Sequence, residues 1–251
     1  MDPLLFALVF LVSLLAALID VMVGGGSLIT VPALGGLGFS LKQVIATNRL
    51  YIVFFTIIGL ANYWHKKIHV DLRPILVLIV TRSIGAYLGA NAILEVDASS
   101  IKLIVAGFLF AAIIAIIFLE TQKTKKLEFF PNAQIKIAVV AILFFILGYY
   151  EGFVGGGGST IARLLMLLFL GMPLLEAGIA ELIMTLVTST ISSGVFLYNG
   201  QVDFVLLIPM VLGGIIGGFI GSHIAIKKGT AWLRPLLFVI VGLLLVKLVF
   251  F

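Results

Sequence analysis

The sequence predicts an all-α polytopic membrane protein: an inverted-topology repeat of eight long transmembrane helices plus two short half-helices after glycine-rich breaks. Three observations predict it. Of 251 residues, 62% are hydrophobic and 11% charged, with a mean hydropathy of +1.30, a balance foreign to water-soluble chains. Long apolar runs recur, each near the ~20 residues that a spanning helix needs. The chain also overlays itself when shifted by about 131 to 133 residues, the mark of an internal repeat.

The long runs lie at 3–23, 42–64, 72–94, 99–119, 135–154, 173–197, 203–226 and 231–250. The first follows Met1-Asp2-Pro3 without a basic leader, so it reads as a retained helix rather than a cleaved signal. Two shorter apolar pieces, 27–37 and 159–170, each follow a glycine cluster, "VGGGSLITVPAL" from Val23 and "VGGGGST" from Val154. At ~1.5 Å per residue these reach only part of a ~30 Å hydrocarbon core. Consecutive glycines are poor helix formers, and the backbone they expose needs partners inside a membrane.

The repeat pairs Asp20-x-x-Val23-Gly-Gly-Gly with Glu151-x-x-Val154-Gly-Gly-Gly. It also pairs Gly38 with Gly171, Asp71 with Asp203, Gly85-x-x-x-Gly89 with Gly217-x-x-x-Gly221, and Lys102 with Arg234. Residues 1–119 form the first repeat, 120–134 a basic cytoplasmic linker and 135–251 the second repeat, in one integral membrane domain. Charge indicates that the second copy is inverted. Lys66, Lys67 and Arg73 follow the second long run, whereas the equivalent segment near 199–203 has no Lys or Arg. Residues 95–101 hold Glu95 and Asp97 and no basic residue, whereas their counterpart holds Lys227, Lys228 and Arg234. Equivalent loops of opposite bias belong on opposite sides by the positive-inside rule. The linker, with Lys123, Lys125 and Lys126, and Lys136 just beyond, is then cytoplasmic and both termini are outside. The expected location is the cell membrane.

Composition also excludes functions. There is no cysteine, hence no disulfide, thiolate chemistry or cysteine metal site. The net charge of +5 sits in short loops, where it orients helices and is no nucleic-acid surface. No phosphate-binding Gly-Lys-Ser/Thr loop is present, so nucleotide-driven transport is not indicated. Neither an enzyme nor a cofactor or metal is expected. The expected partners are a small anion, the lipid bilayer and protons as the coupling ion.

The breaks define a candidate site. Each short helix starts just after its glycines, with Ser27, or Ser159 and Thr160, placed to act as N-cap. Free N–H groups and the positive dipole end would point at the pseudo-two-fold axis from both sides, each worth roughly 0.3–2 kcal/mol to an anion. Candidate substrate contacts are therefore Gly24, Gly25, Gly26, Ser27, Gly155, Gly156, Gly157, Gly158 and Ser159. Arg82 lies mid-span, where insertion scales charge at least ~2.5 kcal/mol for an unpartnered arginine. It reads either as an anion ligand or as an ion pair with Glu151, Glu181 or Asp20. Arg49 sits about two turns into its helix, a ligand or a snorkelling residue. Arg163, four residues beyond Ser159, is a ligand or a partner of Glu151. Asp20, Glu151 and Glu181 are coupling candidates. The Gly85/Gly89 and Gly217/Gly221 pairs read as helix-packing motifs.

"VGGGSLITVPAL…ATNRL" and "GYYEGFVGGGGST" resemble the two signatures of the TauE/SafE family of membrane permeases, also called the toluene sulfonate uptake permease family. The similarity extends over most of the chain. It implies transport, chiefly export, of small sulfur-containing anions such as sulfite or organosulfonates. It implies Gly24–Ser27, Thr47, Asn48, Gly155–Gly157 and Glu151 as pathway positions. The chain departs from the family pattern at Glu151 (usually Asp), at Arg49 (commonly Lys) and in "AELIM", which holds Glu181. The resulting expectation is a secondary transporter working by alternating access. A passive anion channel is one alternative; an intramembrane serine hydrolase using Ser159 with His223 as base is another.

Overall fold

The computed structural model describes residues 1–67, 70–97, 100–101, 103–107, 109–111, 114 and 132–228. Among them, secondary structure is helical throughout. The main elements are α1 (Pro3–Val23), α2 (Ser27–Gly36), α3 (Leu41–His65), α4 (Leu76–Ala92), α5 (Ala133–Phe153), α6 (Gly158–Leu165), α7 (Leu174–Tyr198) and α8 (Phe204–Lys228). Short 3-10 turns flank α4, and a π-helical turn, Met166–Leu170, extends α6. The described residues from 101 to 114 are helical as well.

Among the described residues, six helices are long and apolar enough to cross a membrane: α1, α3, α4 with its 3-10 extension, α5, α7 and α8. Helices α2 and α6 with its π turn are shorter and apolar. The expected span 231–250 lies outside the described residues, as do parts of 99–119 and most of the 120–134 linker.

Local chemistry sets the helix ends. Pro3 occupies the first turn of α1, where its missing N–H costs nothing. Gly24, at φ +84°, ends that helix and sends its N–H to the Asp20 carbonyl at 2.8 Å. The Asn132 side chain caps α5 by accepting the Ile135 N–H at 2.8 Å. Asp203 accepts the Val205 and Leu206 N–H groups at the head of α8, and its repeat counterpart Asp71 accepts the Arg73 N–H before α4.

Two long contacts organise the bundle. In one, Gly213, Gly217 and Gly221 of α8 lie against the backbone carbonyls of Phe10, Leu14 and Leu18 on α1. In the other, Gly85 and Gly89 of α4 and Gly148 and Gly152 of α5 touch the opposing backbone. A methyl group at any of these positions would overlap the partner helix, so small residues here serve close packing. A shift of about 131 to 133 residues along the sequence carries α1 onto α5 and α4 onto α8, so each of the two contacts joins helices that this shift relates to those of the other. The outer faces carry exposed Leu11 and Leu15 on α1, Val80 and Ile84 on α4, Ile142 and Ile146 on α5, and Ile208 and Phe219 on α8. A broad apolar exterior around a charged interior is the arrangement a bilayer demands.

Candidate functional site

The two glycine breaks meet in the core. At the first, Gly24 and Gly25 hold φ of +84° and +85°, which glycine adopts without strain. Gly24 lies against the Ser159–Thr160 backbone of the second break, so a side chain there has no room. The Gly25 N–H donates to Ser159 Oγ at 2.8 Å, and Ser159 donates on to Asp20 Oδ1 at 2.9 Å. Thr160 Oγ1 donates to the Val23 carbonyl at 3.3 Å. At the second break, Gly155 (φ +90°) packs on the Arg49 guanidinium and Gly156 on Leu28 and Leu109. The Tyr150 hydroxyl closes this turn onto the Gly156 carbonyl.

Both half-helix N-termini face a carboxylate of this chain. Asp20 Oδ1 accepts the Gly26 N–H at 3.1 Å, at the start of α2. The Glu151 side chain lies against Gly158, the first residue of α6. The expected serine caps are therefore corrected. Gly26 and Gly157 occupy the N-cap positions without side-chain caps, and an upstream acid meets each helix end. Ser27 instead accepts from Asn48 Nδ2 at 2.9 Å, while Asn48 Oδ1 accepts from Thr30 at 2.8 Å, which ties α2 to α3.

A chain of ion pairs runs behind the breaks. Arg82 reaches Glu151 with Nε to Oε2 at 2.7 Å and Nη2 to Oε1 at 2.6 Å. Arg82 Nη2 also lies 3.3 Å from Glu181 Oε1 and 3.2 Å from Thr185 Oγ1. Arg163 Nη2 pairs with Glu181 Oε2 at 3.1 Å. The partner of Arg163 is thus Glu181 and not Glu151, because α6 turns this side chain towards α7. Arg163 also donates to the Asp20 and Val21 carbonyls at 2.9 and 3.4 Å, capping the broken end of α1. For Arg82, the ion pair is the arrangement observed.

Arg49 is different. It is 3% exposed, so it does not snorkel, and its Nε and Nη2 have no hydrogen-bond partner among the described residues. Thr47 points elsewhere: its hydroxyl accepts the Asp203 N–H at 2.9 Å, tying α3 to the turn before α8. Ser159 gives its proton to Asp20, and His223 stacks on Phe219 along α8.

A cavity of about 260 Å³ lies beside the breaks, lined by Val21, Met22, Tyr63, Arg163, Leu174, Leu175 and Gly178, with Ala225 and Ile226 of α8. It sits at the bundle end where α3 runs into Lys66 and Lys67 and α8 into Lys227 and Lys228. From Glu181, a row of buried hydroxyls continues along α7 through Thr185, Thr188, Ser189, Ser192 and Ser193. Ser189 and Ser192, with Thr56 on α3, have no hydrogen-bond partner among the described residues. Sequence reading missed this row, although its spacing of three and four puts it on one helical face. It also missed Thr30 and Tyr150. No group of three or more metal-ligating side chains occurs among the described residues.

The family model described as "Sulfite exporter TauE/SafE" matches residues 9–248. The chain belongs to the TauE/SafE family of membrane transporters. Among TauE/SafE-like relatives, a "probable membrane transporter protein" of Haemophilus influenzae is 28% identical over 247 residues, covering 98% of this chain and 95% of the relative. YfcA of Escherichia coli K12, described in the same words, is 26% identical over 255 residues, covering 99% and 91%. YjnA of Bacillus subtilis is 24% identical over 238 residues, covering 90% of each. No solved structure matches the chain. As a TauE/SafE member with six helices among the described residues long and apolar enough to cross a membrane, the protein is a multi-pass membrane protein that takes a small-molecule substrate.

Proposed function

We propose that this protein is a secondary transporter of a small sulfur-containing anion, such as sulfite or an organosulfonate. The anion sits where the two glycine breaks meet, and the two repeats, inverted relative to each other, rock around it by alternating access. The observation that carries the reading is Arg49, a buried guanidinium whose Nε and Nη2 have no hydrogen-bond partner among the described residues, packed on the second break at Gly155. A buried charge is stable only when paired and hydrogen-bonded. Guanidinium is suited to oxyanions because its planar N–H fork matches two oxygens at once.

The neighbouring acids support Arg49 over the helix ends as the principal ligand. Asp20 and Glu151 occupy the half-helix N-termini, so the positive ends hold carboxylates of the chain itself. Gly25, Gly155 and Gly156 then serve as the small walls that let the breaks approach. The cavity at the lysine-rich end supplies one access route, with Arg163 at its wall. The hydroxyl row on α7 supplies the continuation towards the other face. Basic loops face the cytoplasm of the cell membrane, and both termini lie outside.

The test is thermal unfolding of the purified protein with sulfite, methanesulfonate, thiosulfate and sulfate, for wild type and Arg49→Gln. A ligand that binds only the folded state raises its stability by mass action. A concentration-dependent shift in wild type, absent in Arg49→Gln, supports the site. An equal shift in both proteins places the anion elsewhere.

A further inference from the structure

Six acidic or basic side chains are buried in the described core: Asp20, Arg49, Arg82, Glu151, Arg163 and Glu181. Four of them, Glu151, Arg82, Glu181 and Arg163, are linked in that order by ion pairs, and their charges cancel. Asp20 and Arg49 are left over. Neither forms an ion pair among the described residues, with each other or with the chain of four.

Both leftover charges can be neutralised from outside the protein. Arg49 needs an anion. Asp20 needs a proton, and its geometry accommodates one. The Gly26 N–H and the Ser159 hydroxyl both donate to Oδ1, so Oδ2 takes a proton with neither bond lost. The groups facing Asp20 from its neighbours are few. Ser159 and Arg163 come from α6, Glu181 from α7, and Arg49 and Tyr51 from α3, while α8 presents Gly213, Gly217 and Gly221 to α1.

With Asp20 and Arg49 both empty, the buried core has no net charge; with both filled, it again has none. With only one filled, it carries a full unit, and moving a net charge through hydrocarbon is costly. The states that cross between the two orientations are therefore the empty one and the doubly filled one.

From this balance we infer that the protein is an electroneutral cotransporter, carrying one proton on Asp20 with one monovalent oxyanion on Arg49. The inference rests on the proposed anion site and narrows its ligand to monoanions, such as bisulfite or a sulfonate, against dianions such as sulfate. The direction of net flux follows the sum of the proton and anion gradients.

The test uses the full chain in proteoliposomes loaded with a fluorescent pH reporter, with membrane potential clamped by potassium and valinomycin. The probes are methanesulfonate (a fixed monoanion), nitrate and sulfate. Wild type is expected to carry one proton per methanesulfonate, at a rate that does not change with the clamped potential, and to leave sulfate behind. In Asp20→Asn, whose amide oxygen still accepts from Ser159 and Gly26, proton movement is lost and any remaining flux becomes voltage-dependent. Wild-type flux without protons, flux that follows the potential, or sulfate carried as fast as methanesulfonate overturns the inference. If Asp20→Asn fails to fold, the wild-type stoichiometry and voltage response decide. Nitrate moving with a proton while methanesulfonate does not would keep the charge rule and remove the sulfur reading. Methanesulfonate moving without a proton would do the reverse. Movement of no anion at all would overturn both.

Discussion

Arg82 on α4 holds Glu151 on α5 through two parallel hydrogen bonds, 2.7 and 2.6 Å long, with both side chains sealed from the surface. The same Glu151 lies against the first residue of α6. One carboxylate therefore satisfies an intramembrane arginine and meets the positive end of a half-helix, which ties the second glycine break to the α4–α5 contact.

Breaking that pair is expected to be severe. Removing one partner of a buried ion pair costs about 3–5 kcal/mol, because the other charge is left unpaired. Arg82→Gln and Glu151→Gln should each lower the unfolding temperature markedly in detergent. The double variant should recover part of the loss, since it leaves neither charge exposed to hydrocarbon.

Arg49 should behave differently. Its Nε and Nη2 have no hydrogen-bond partner among the described residues to lose, so Arg49→Gln should destabilise the ligand-free protein less than Arg82→Gln does. Uptake of labelled sulfite into proteoliposomes should fall by at least tenfold. Unaltered uptake would remove Arg49 from the site.

Gly155→Ala places a methyl on the Arg49 guanidinium and forces an L-residue to φ +90°. Backbone strain of this kind costs on the order of 1–3 kcal/mol. Lower stability together with weaker anion binding is expected, the first read by thermal unfolding and the second by ligand-induced shift. Gly38→Ala, at φ +93° but in open space, should show the strain without the binding defect.

Ser159→Ala leaves the Gly25 N–H without its acceptor and Asp20 without a donor across the two breaks. An unsatisfied buried donor costs about 1–3 kcal/mol. Hydrogen exchange at Gly25 should accelerate in this variant, and Ser159→Thr should restore part of the protection.

The hydroxyl row on α7 gives a separate expectation. Ser189→Leu and Ser192→Leu replace buried hydroxyls that have no partner among the described residues with bulky apolar side chains. Each should slow anion flux while leaving the sulfite-induced thermal shift intact, because the bound anion lies at Arg49. A lost thermal shift with normal flux would contradict the path.

Much of the architecture was legible because its causes are local. Apolar runs of adequate length mark spanning helices whatever they pack against, so six of the eight expected spans fall on described apolar helices. Glycine clusters break a helix by their own conformational freedom, and both breaks appear at the expected residues. Glycines spaced by four on α4 and α8 likewise marked the faces that now touch a partner backbone.

The pairings were not legible, because they depend on which helix faces meet. Arg163 had Glu151 available by sequence distance, yet it pairs with Glu181. Ser159 stood as the cap of its own helix, yet it serves Gly25 and Asp20, 134 and 139 residues away. Arg49 was one of several intramembrane arginines, and only the packing of α3 on the second break leaves its Nε and Nη2 without a hydrogen-bond partner among the described residues. Hydropathy and glycine placement determined by themselves that this chain is a membrane bundle with two broken helices. Tertiary structure decided which buried charges cancel and which two remain, since a charge in a low-dielectric core is defined by the neighbours that other segments bring to it.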